Sequence, residues 1–201
     1  MEKFTAIKGI AAPLPDSRIS AETLLPPDAL LTLRRAGLGK FLFASKRYGA
    51  DGREDAAFIL NQPAWRKSAI LVTGAHFAHD AAGEHLYWAL IDFGIRVIIS
   101  AAFDSAFRAG CFRHGILPLA LPEDTTANLM QAAADKKLFT IDLEKQVLSV
   151  EGAAPIAFDV PAFERHCLLS GLDSIGLTLE HEDAIADFEK QQRKEMFWLY
   201  A

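Results

Sequence analysis

The sequence predicts an α/β fold, in which a small mixed sheet or barrel is covered by helices on its outside. Residues 68–100 have the pattern of a strand, a helix and a second strand, and strands joined in this way pair in parallel. Residues 139–150 alternate apolar and polar side chains around a Glu–Lys pair, which is typical of a hairpin. The chain of 201 residues is 51% hydrophobic and 23% charged, so we expect one globular domain over residues 1–201.

The elements before this unit follow from local patterns. Residues 4–11 predict a first strand, and the Pro and Asp of segment 14–17 predict a turn. A short helix is expected over residues 27–36, ended by Gly37. The polar segment 48–55, which contains glycine, predicts a mobile surface loop.

The βαβ unit is expected to have strands at 68–73 and 96–100 and a helix at 81–93 that Gly94 ends. A second helix over 102–109 and a third strand over 116–121 complete this half. The last third is expected to contain a helix over 123–135, the hairpin, a strand over 156–160, a helix over 162–170 opened by Pro161, a loop over 172–179 and a helix over 182–200.

Charge and cysteine content exclude several classes of function. A net charge of −5 and a pI near 5.7 argue against nucleic acid or an anionic membrane as partner. No apolar run approaches the roughly 20 residues of a membrane helix, and we expect no signal peptide. Cys111 and Cys167 cannot form a disulfide framework, which fits a reducing cytoplasm. They are also too few for a cubane iron–sulfur cluster, so any such cluster must come from another chain.

Residues 76–94, with the sequence HFAHDAAGEHLYWALIDFG, are the most informative stretch for function. They resemble the substrate loop of the 3-isopropylmalate dehydratase small subunit, the detached swivel domain of the aconitase family. That family has Asn-Phe-Gly-Cys-Gly-Ser-Ser-Arg-Glu-His, followed by Ala-Pro-Trp-Ala-Leu. The family's reactive Ser-Ser-Arg is replaced by Ala81, Ala82 and Gly83, whereas the surrounding frame is kept at Phe77, Glu84, His85, Trp88, Ala89 and Leu90.

The resemblance covers nearly the whole chain. Segment 163–189 matches the family signature Phe-Arg-Arg-His-Cys-Leu-x-x-Gly-Leu-Asp-x-Ile-Gly-Leu-Thr-Leu, and segments 19–26, 37–43 and 58–63 also occur in family order. It implies an aconitase-like swivel domain that serves as the small subunit of a hydro-lyase of leucine biosynthesis. It also implies a partner large subunit that carries a [4Fe–4S] cluster, and a small hydroxy-dicarboxylate substrate. No cofactor is expected in this chain itself.

The resemblance further implies which groups the substrate loop lacks. In the family, one loop serine is the base and the arginine binds a substrate carboxylate, and neither group exists here. His79 and His114 are the candidate bases, because the pKa of an imidazole lies near working pH. Arg113 and Arg47 are the candidate carboxylate ligands. Arg113 is expected on a loop after helix 102–109, in the family's Asn-Asn position, where it would face the same cleft.

Asp80 is expected to cap a helix that begins at Ala81 and to occupy the anion position at the N-terminus of that helix. A metal site is the alternative, because His76, His79, Asp80, Glu84 and His85 are all ligand types for zinc or iron. We expect no metal here, since Glu84 and His85 belong to the family frame, where they are structural and buried.

The C-terminal signature is expected to contact the large subunit through Leu172, Asp173 and Ile175, with His166 and Cys167 as packing residues. Three functions remain open. The chain is an active hydro-lyase subunit, or a catalytically deficient paralogue that keeps the large-subunit interface as a regulatory or structural chain, or part of an enzyme for a different hydroxy acid. Residues 79–83 distinguish these functions.

Overall fold

The computed structural model describes residues 1–32, 34–80 and 83–199, and two four-stranded sheets organise these residues. The strands are β1 (Ala6–Ile10), β2 (Ala12–Leu14), β3 (Ile70–Thr73), β4 (Val97–Ser100), β5 (Leu117–Ala120), β6 (Leu138–Asp142), β7 (Val147–Val150) and β8 (Ile156–Ala157). One sheet is antiparallel in the order β1-β6-β7-β8, and the other is parallel in the order β2-β3-β4-β5. The predicted mixture of parallel and antiparallel pairing is confirmed, but it is divided between two sheets.

The α-helices lie between the strands of the chain and after the last strand. They are α1 (Ala21–Leu24), α2 (Ala44–Arg47), α3 (His85–Phe93), α4 (Ser105–His114), α5 (Glu123–Ala134), α6 (Ala162–Ser170), α7 (Ser174–Leu179) and α8 (Glu182–Glu195). Short 3-10 helices are formed by Pro27–Leu31, Gly39–Phe41, Ile59–Asn61 and Phe197–Leu199. No helix in the described part of the chain is long and apolar enough to cross a membrane.

The N-terminal stretch contributes a strand to each sheet. Strand β1 belongs to the antiparallel sheet and β2 to the parallel sheet, and only Ala11 separates them. The predicted strand 4–11 covers β1 and misses β2. Strand β2 contains Pro13 and strand β5 contains Pro118, and both are edge strands, where the missing N–H of proline costs no ladder hydrogen bond.

Two hydrophobic cores share the parallel sheet. Leu71 and Ile98 face a core that includes residues of α3 and α4, whereas Ile70 and Val97 face a second core with α5 and the antiparallel sheet. Burial on both faces explains why residues 70–72 are continuously apolar. The hairpin is confirmed, and its register places Phe139 opposite Val150 and Ile141 opposite Leu148, all buried in the second core.

The C-terminal end of α3 packs against the Gly39–Phe41 turn. A Cβ atom at Gly39 would lie 2.7 Å from the backbone nitrogen of Phe93, so only glycine fits there. The Asp92 carboxylate accepts hydrogen bonds from the backbone N–H of Gly37 at 3.0 Å and of Gly39 at 2.7 Å. The close contact explains Gly39, whereas Gly37 has φ +86°, a backbone conformation that favours glycine.

Several predicted bounds are wrong. The helix expected over 27–36 is the short Pro27–Leu31 turn, the helix expected over 102–109 is α4, and the loop expected over 172–179 contains α7. The final helix ends at Glu195 and is followed by the 3-10 turn Phe197–Leu199, while Tyr200 lies outside the described residues. In the segment 48–55, Tyr48 forms an antiparallel bridge with Glu54.

Candidate functional site

The candidate site is the loop 74–80, which follows β3 at the carboxyl-terminal edge of the parallel sheet, where ligands of open α/β sheets bind. The segment 18–21 lies beside it. The backbone N–H of Arg18 donates to Ala75 O at 2.8 Å, and Ser20 and His79 form a parallel bridge. On the other side, the N–H of His76 donates to Ala102 O at 2.9 Å. The loop backbone is therefore held by two neighbouring segments.

The buried ring of Phe77 anchors this loop, with its centroid 6.4 Å from that of Phe43 and 5.8 Å from that of Phe107. Left-handed backbone is concentrated around the anchor. The φ angles are +54° at Arg18, +56° at His76, +58° at Ala78 and +60° at Asp80. Each costs on the order of 1 kcal/mol for a residue other than glycine. The resembled family has glycine at positions 78 and 80, which is the residue that this backbone favours.

Two histidine–carboxylate pairs lie on or beside the loop. Nδ1 of His79 is 2.6 Å from Oδ2 of Asp80, and Nδ1 of His76 is 3.0 Å from Oδ1 of Asp104. A carboxylate at Nδ1 favours the tautomer with its proton on Nδ1, which leaves the lone pair on Nε2 free to accept a proton. The His79 side chain is 32% exposed, so solvent and small molecules can reach it.

The side chains considered as alternative metal ligands have separate partners in the structure. Nowhere in residues 1–32, 34–80 and 83–199 do three His, Cys, Asp or Glu side chains come together as ligands. His76 and His79 have separate carboxylate partners, and Nε2 of His85 is 2.9 Å from Thr32 O. Glu84 is exposed, so the expectation that it is buried is wrong.

The expectation that Asp80 caps a helix at Ala81 is wrong. Helix α3 begins at His85 with Glu84 as the N-cap, and the side chain of Asp80 is exposed and paired with His79. Ala81 and Ala82 lie outside the described residues. Gly83 has φ +84°, and a Cβ atom there would meet no atom within 4 Å. A side chain at position 83 would therefore have space, but its backbone conformation would be strained.

Arg113 and His114 form the last turn of α4, so the expectation that Arg113 lies on a loop after the helix is wrong. In a parallel βαβ unit the helix runs back to the amino-terminal edge of the sheet. Consistent with this, Nε of Arg96, the residue before β4, donates to Gly115 O at 3.2 Å. Arg113 therefore lies toward the edge opposite the loop 74–80. A substrate-binding role for Arg113 stays a prediction that no observed contact tests.

His114 belongs to an aromatic stack and not to the loop. Its ring lies 4.7 Å from the ring of Tyr87 at an interplanar angle of 7°, and its Nδ1 is 2.9 Å from Gly110 O. Tyr87 also stacks on Phe107 at 5.7 Å. Burial raises the pKa of Tyr87 to about 12, with a smaller raising effect from Cys111 and a lowering effect from Arg113. A role of His114 as a base likewise stays a prediction.

Arg47 is a buried residue with internal partners. Its Nε donates to Asn61 Oδ1 at 3.1 Å, and its Nη1 donates to Gly39 O at 3.3 Å. Its guanidinium also lies over the ring of Phe93, 4.9 Å from the centroid. These contacts give Arg47 a role in joining α2 to the Gly39–Phe41 turn and α3. Its predicted contact with substrate is not tested by any of them.

The predicted partner-binding residues lie at the start of α7. Asp173 is the N-cap and accepts a hydrogen bond from the N–H of Gly176 at 2.8 Å, which holds the pKa of this carboxyl below its ordinary value. Ile175 is 69% exposed, whereas Leu172 is half-buried. Neither α7 nor α8 contains a buried residue. Large apolar side chains are exposed along this C-terminal region at Phe163, Ile175, Leu179, Ile185, Phe188, Met196, Phe197, Trp198 and Leu199.

Arg18 is the residue of this site that the sequence does not indicate. Its side chain is exposed and makes no hydrogen bond or ion pair with the described part of the chain. No motif marks it, because it stands between the predicted turn and the segment 19–26. Only the pairing of residues 18–21 with the loop places it at the site.

Comparisons with known proteins agree with this fold. Residues 1–124 match the aconitase C-terminal domain, and residues 174–201 match the C-terminal domain of the small subunit of 3-isopropylmalate dehydratase. A protein of Rhodospirillum rubrum named 3-isopropylmalate dehydratase small subunit is 48% identical over 201 residues, covering 99% of this chain and 97% of the relative. A protein of the same name from Paramagnetospirillum magneticum is 44% identical over 201 residues, covering 99% and 100%.

A solved structure has the same fold. The crystal structure of 3-isopropylmalate dehydratase from Methanocaldococcus jannaschii matches with a TM-score of 0.67 at 18% identity. The match covers 92% of this chain and 99% of that chain. At this level of identity the likeness concerns the fold, and it agrees with the aconitase-like swivel domain expected from the sequence.

Proposed function

Since the chain belongs to the family of 3-isopropylmalate dehydratase small subunits, we propose that it serves as the small subunit of such a hydro-lyase in leucine biosynthesis. The observation that carries this proposal is 48% identity along 99% of the chain to a relative of that name. A small subunit implies a large-subunit partner. A single domain over residues 1–201 and a location in the cytoplasm stay predictions within this proposal.

The iron–sulfur cluster of the proposed enzyme does not fit this chain. Cys111 and Cys167 are both buried, and burial raises the pKa of both thiols. A cluster needs several thiolates, whereas these two cysteines are inert packing residues. We therefore place the [4Fe–4S] cluster on the large subunit. The contribution of this chain is to close the substrate site with the loop 74–80 and the segment 18–21.

We place the large-subunit contact on the exposed apolar face of α7, around Leu172, Asp173 and Ile175. Ile175→Asp should abolish co-elution with the large subunit, because a charge would be buried in an apolar interface. Ile175 is exposed in the chain alone, so the circular dichroism spectrum and Tm of the isolated variant should be unchanged. Leu31→Asp is the matched control, since Leu31 is 85% exposed and lies on the Pro27–Leu31 turn, outside the C-terminal signature. Co-elution of Ile175→Asp at the wild-type level would remove this surface from the proposal.

One observation favours a catalytically deficient paralogue as the second candidate. The resembled family has its reactive serines and arginine where this chain has Ala81, Ala82 and Gly83. The left-handed backbone at Gly83 also disfavours the lost arginine. Such a paralogue would bind the large subunit and regulate or stabilise it without turnover. An enzyme for a different hydroxy acid, with His79 or His114 as base, is the remaining alternative.

Genetic complementation tests the proposed function directly. The chain, expressed with its large subunit in a leucine auxotroph that lacks its own dehydratase, should restore growth without leucine. A chain with Ile175→Asp should fail to do so if assembly is required. Assembly of the two chains without growth would instead favour the deficient paralogue.

A further inference from the structure

We propose that Arg18 and His79 together replace the missing arginine and serine of the substrate loop. In this proposal Arg18 binds a carboxylate of the substrate, and Nε2 of His79 transfers the proton at the adjacent carbon. The proposal rests on the proposed function for the reaction, but its binding part can be tested without turnover.

The two residues are brought together by the pairing of their segments. Ser20 lies directly opposite His79 in a parallel bridge, and Arg18 is two residues before Ser20. At about 3.3 Å per residue along a strand and about 4.8 Å between strands, the Cα atoms of residues 18 and 79 lie no more than roughly 8–9 Å apart. This spacing suits a small dicarboxylic acid with one carboxylate at Arg18 and a reacting carbon at His79.

Charge singles out Arg18 as the anion ligand. It is the only Lys or Arg in the segments 16–23 and 74–80. The nearby acidic residue Asp16 is already 2.5 Å from Nζ of Lys46, and Asp80 is paired with His79. The guanidinium of Arg18 is therefore left to solvent, and its planar fork matches a carboxylate with two parallel hydrogen bonds.

His79 has the geometry of a base held by a carboxylate. The Asp80 carboxylate, 2.6 Å from Nδ1, favours the tautomer with its proton on Nδ1, in which Nε2 is the acceptor. In dehydration, the C–H bond next to the bound carboxylate breaks, and its proton goes to Nε2. The electron pair of that bond forms the C=C bond, while the hydroxyl leaves the neighbouring carbon and becomes water with a proton from solvent. Hydration follows the same steps in reverse.

The strained backbone of the site supports a functional role. Arg18, His76, Ala78 and Asp80 all have left-handed φ angles, and all four lie in the two segments that pair with each other. Long side chains such as that of Arg18 adopt this conformation only when surrounding contacts enforce it. Such strain concentrates at sites where side chains must be presented in one orientation.

Binding of 3-isopropylmalate by the purified full chain, with and without the large subunit, tests the role of Arg18. Arg18→Asn keeps a residue that tolerates left-handed backbone and removes the charge. It should raise the Kd measured by calorimetry by about 10-fold or more, and Arg18→Lys should recover part of this loss. Lys137→Asn, at an exposed lysine after α5, is the control and should leave the Kd unchanged. The dimethyl ester of 3-isopropylmalate has no carboxylate for Arg18 to bind, so its Kd should be the same for the wild type and for Arg18→Asn.

Two results of the binding experiment would overturn the proposal. One is an unchanged Kd in Arg18→Asn, and the other is a 10-fold weakening in Arg113→Asn but not in Arg18→Asn. For His79, the assembled complex with His79→Gln should lose kcat by about 100-fold with little change in KM, and should lose the limb of the pH profile of kcat that reports an imidazole. A wild-type pH profile in His79→Gln would contradict its role. If the wild-type complex shows no turnover, the proposed function fails, whereas the binding comparison still decides the role of Arg18.

Discussion

The contact of Gly110 with Tyr87 predicts that Gly110→Ala destabilises the protein when Tyr87 is present and stabilises it when Tyr87 is replaced. A Cβ atom at Gly110 would lie 2.1 Å from both Cζ and Oη of Tyr87. The Tyr87 ring cannot move aside freely, because it is stacked between Phe107 and His114. Gly110→Ala should therefore push the ring out of the stack and destabilise the protein, although alanine is the better helix former.

The magnitude follows from three terms. Alanine in place of glycine inside α4 stabilises the helix by about 1 kcal/mol. Overpacking costs about 1–3 kcal/mol, and the loss of each aromatic contact costs about 0.5–1.5 kcal/mol. The net loss should be about 3 kcal/mol, which corresponds to a fall in Tm of about 6–12 °C for a chain of this size.

Thermal unfolding of four proteins provides the assay: the wild type, Gly110→Ala, Tyr87→Leu and the double variant. Leucine at position 87 lacks the ring atoms that meet the new Cβ. In that background, Gly110→Ala should raise the Tm, by an amount equivalent to at most about 1 kcal/mol. If Gly110→Ala stabilises the protein with Tyr87 present, or destabilises it equally in both backgrounds, the proposed clash is wrong.

Three further predictions concern single contacts. Asp92→Ala removes the acceptor of two backbone hydrogen bonds, from Gly37 and Gly39. It should lower the free energy of unfolding measured in urea by about 2–3 kcal/mol. An unchanged midpoint of the urea transition would contradict the contact. Tyr87 should ionise with a pKa of about 12 in an absorbance titration at 295 nm, and Tyr87→Phe should remove that step. Because the folded-state pKa exceeds the ordinary 10.0, the stability that this group contributes is present below pH 10 and is lost as the pH rises toward 12. Asp173→Ala should weaken co-elution with the large subunit by fraying α7, whose N-terminal Gly176 N–H would lose its acceptor, while Asp142→Ala in the hairpin turn should have no such effect.

The parts of the fold that can be predicted from the sequence are those in which local pattern and packing agree. The continuous apolar residues of β3 and β4 indicate buried parallel strands, and the alternation of β6 and β7 indicates a hairpin with one buried face. The predicted bounds of helix α6 are the observed ones, because Pro161 and Gly171 mark its two ends.

Other elements depend on contacts that no local pattern shows. Judged from the local sequence alone, Gly110 predicts the end of a helix. In the structure it lies inside α4, where the absence of a side chain leaves space for Tyr87. That longer helix moves Arg113 from the predicted loop to the opposite edge of the sheet. Strand β2 escapes prediction because proline in a short segment is locally a turn signal. Only the position of β2 at the edge of its sheet, which no local pattern shows, makes the proline acceptable there. Helix α7 escapes prediction although Asp173, which caps it, is a common N-cap residue.

The candidate site can be predicted in part. The family resemblance identifies residues 76–83, and the structure places the loop at the carboxyl-terminal edge of the parallel sheet. The partnership of Asp80 with His79 does not follow from the sequence, because the pattern predicts a helix that begins at Ala81. Arg18 does not follow from it either, since only the tertiary pairing of Ser20 with His79 brings it near the loop.

Turnover by the purified two-chain complex is the most direct test of the central claim, that this chain completes a dehydratase despite its altered loop. The chain and its large subunit, with the cluster rebuilt under anaerobic conditions, should convert 3-isopropylmalate to the unsaturated acid, followed by absorbance of the new C=C bond. The large subunit alone should be inactive, and a mixture of the large subunit with Ile175→Asp should be inactive because the two chains do not assemble. A stable complex with an intact cluster and no conversion of 3-isopropylmalate would contradict the claim and identify the chain as the non-catalytic paralogue.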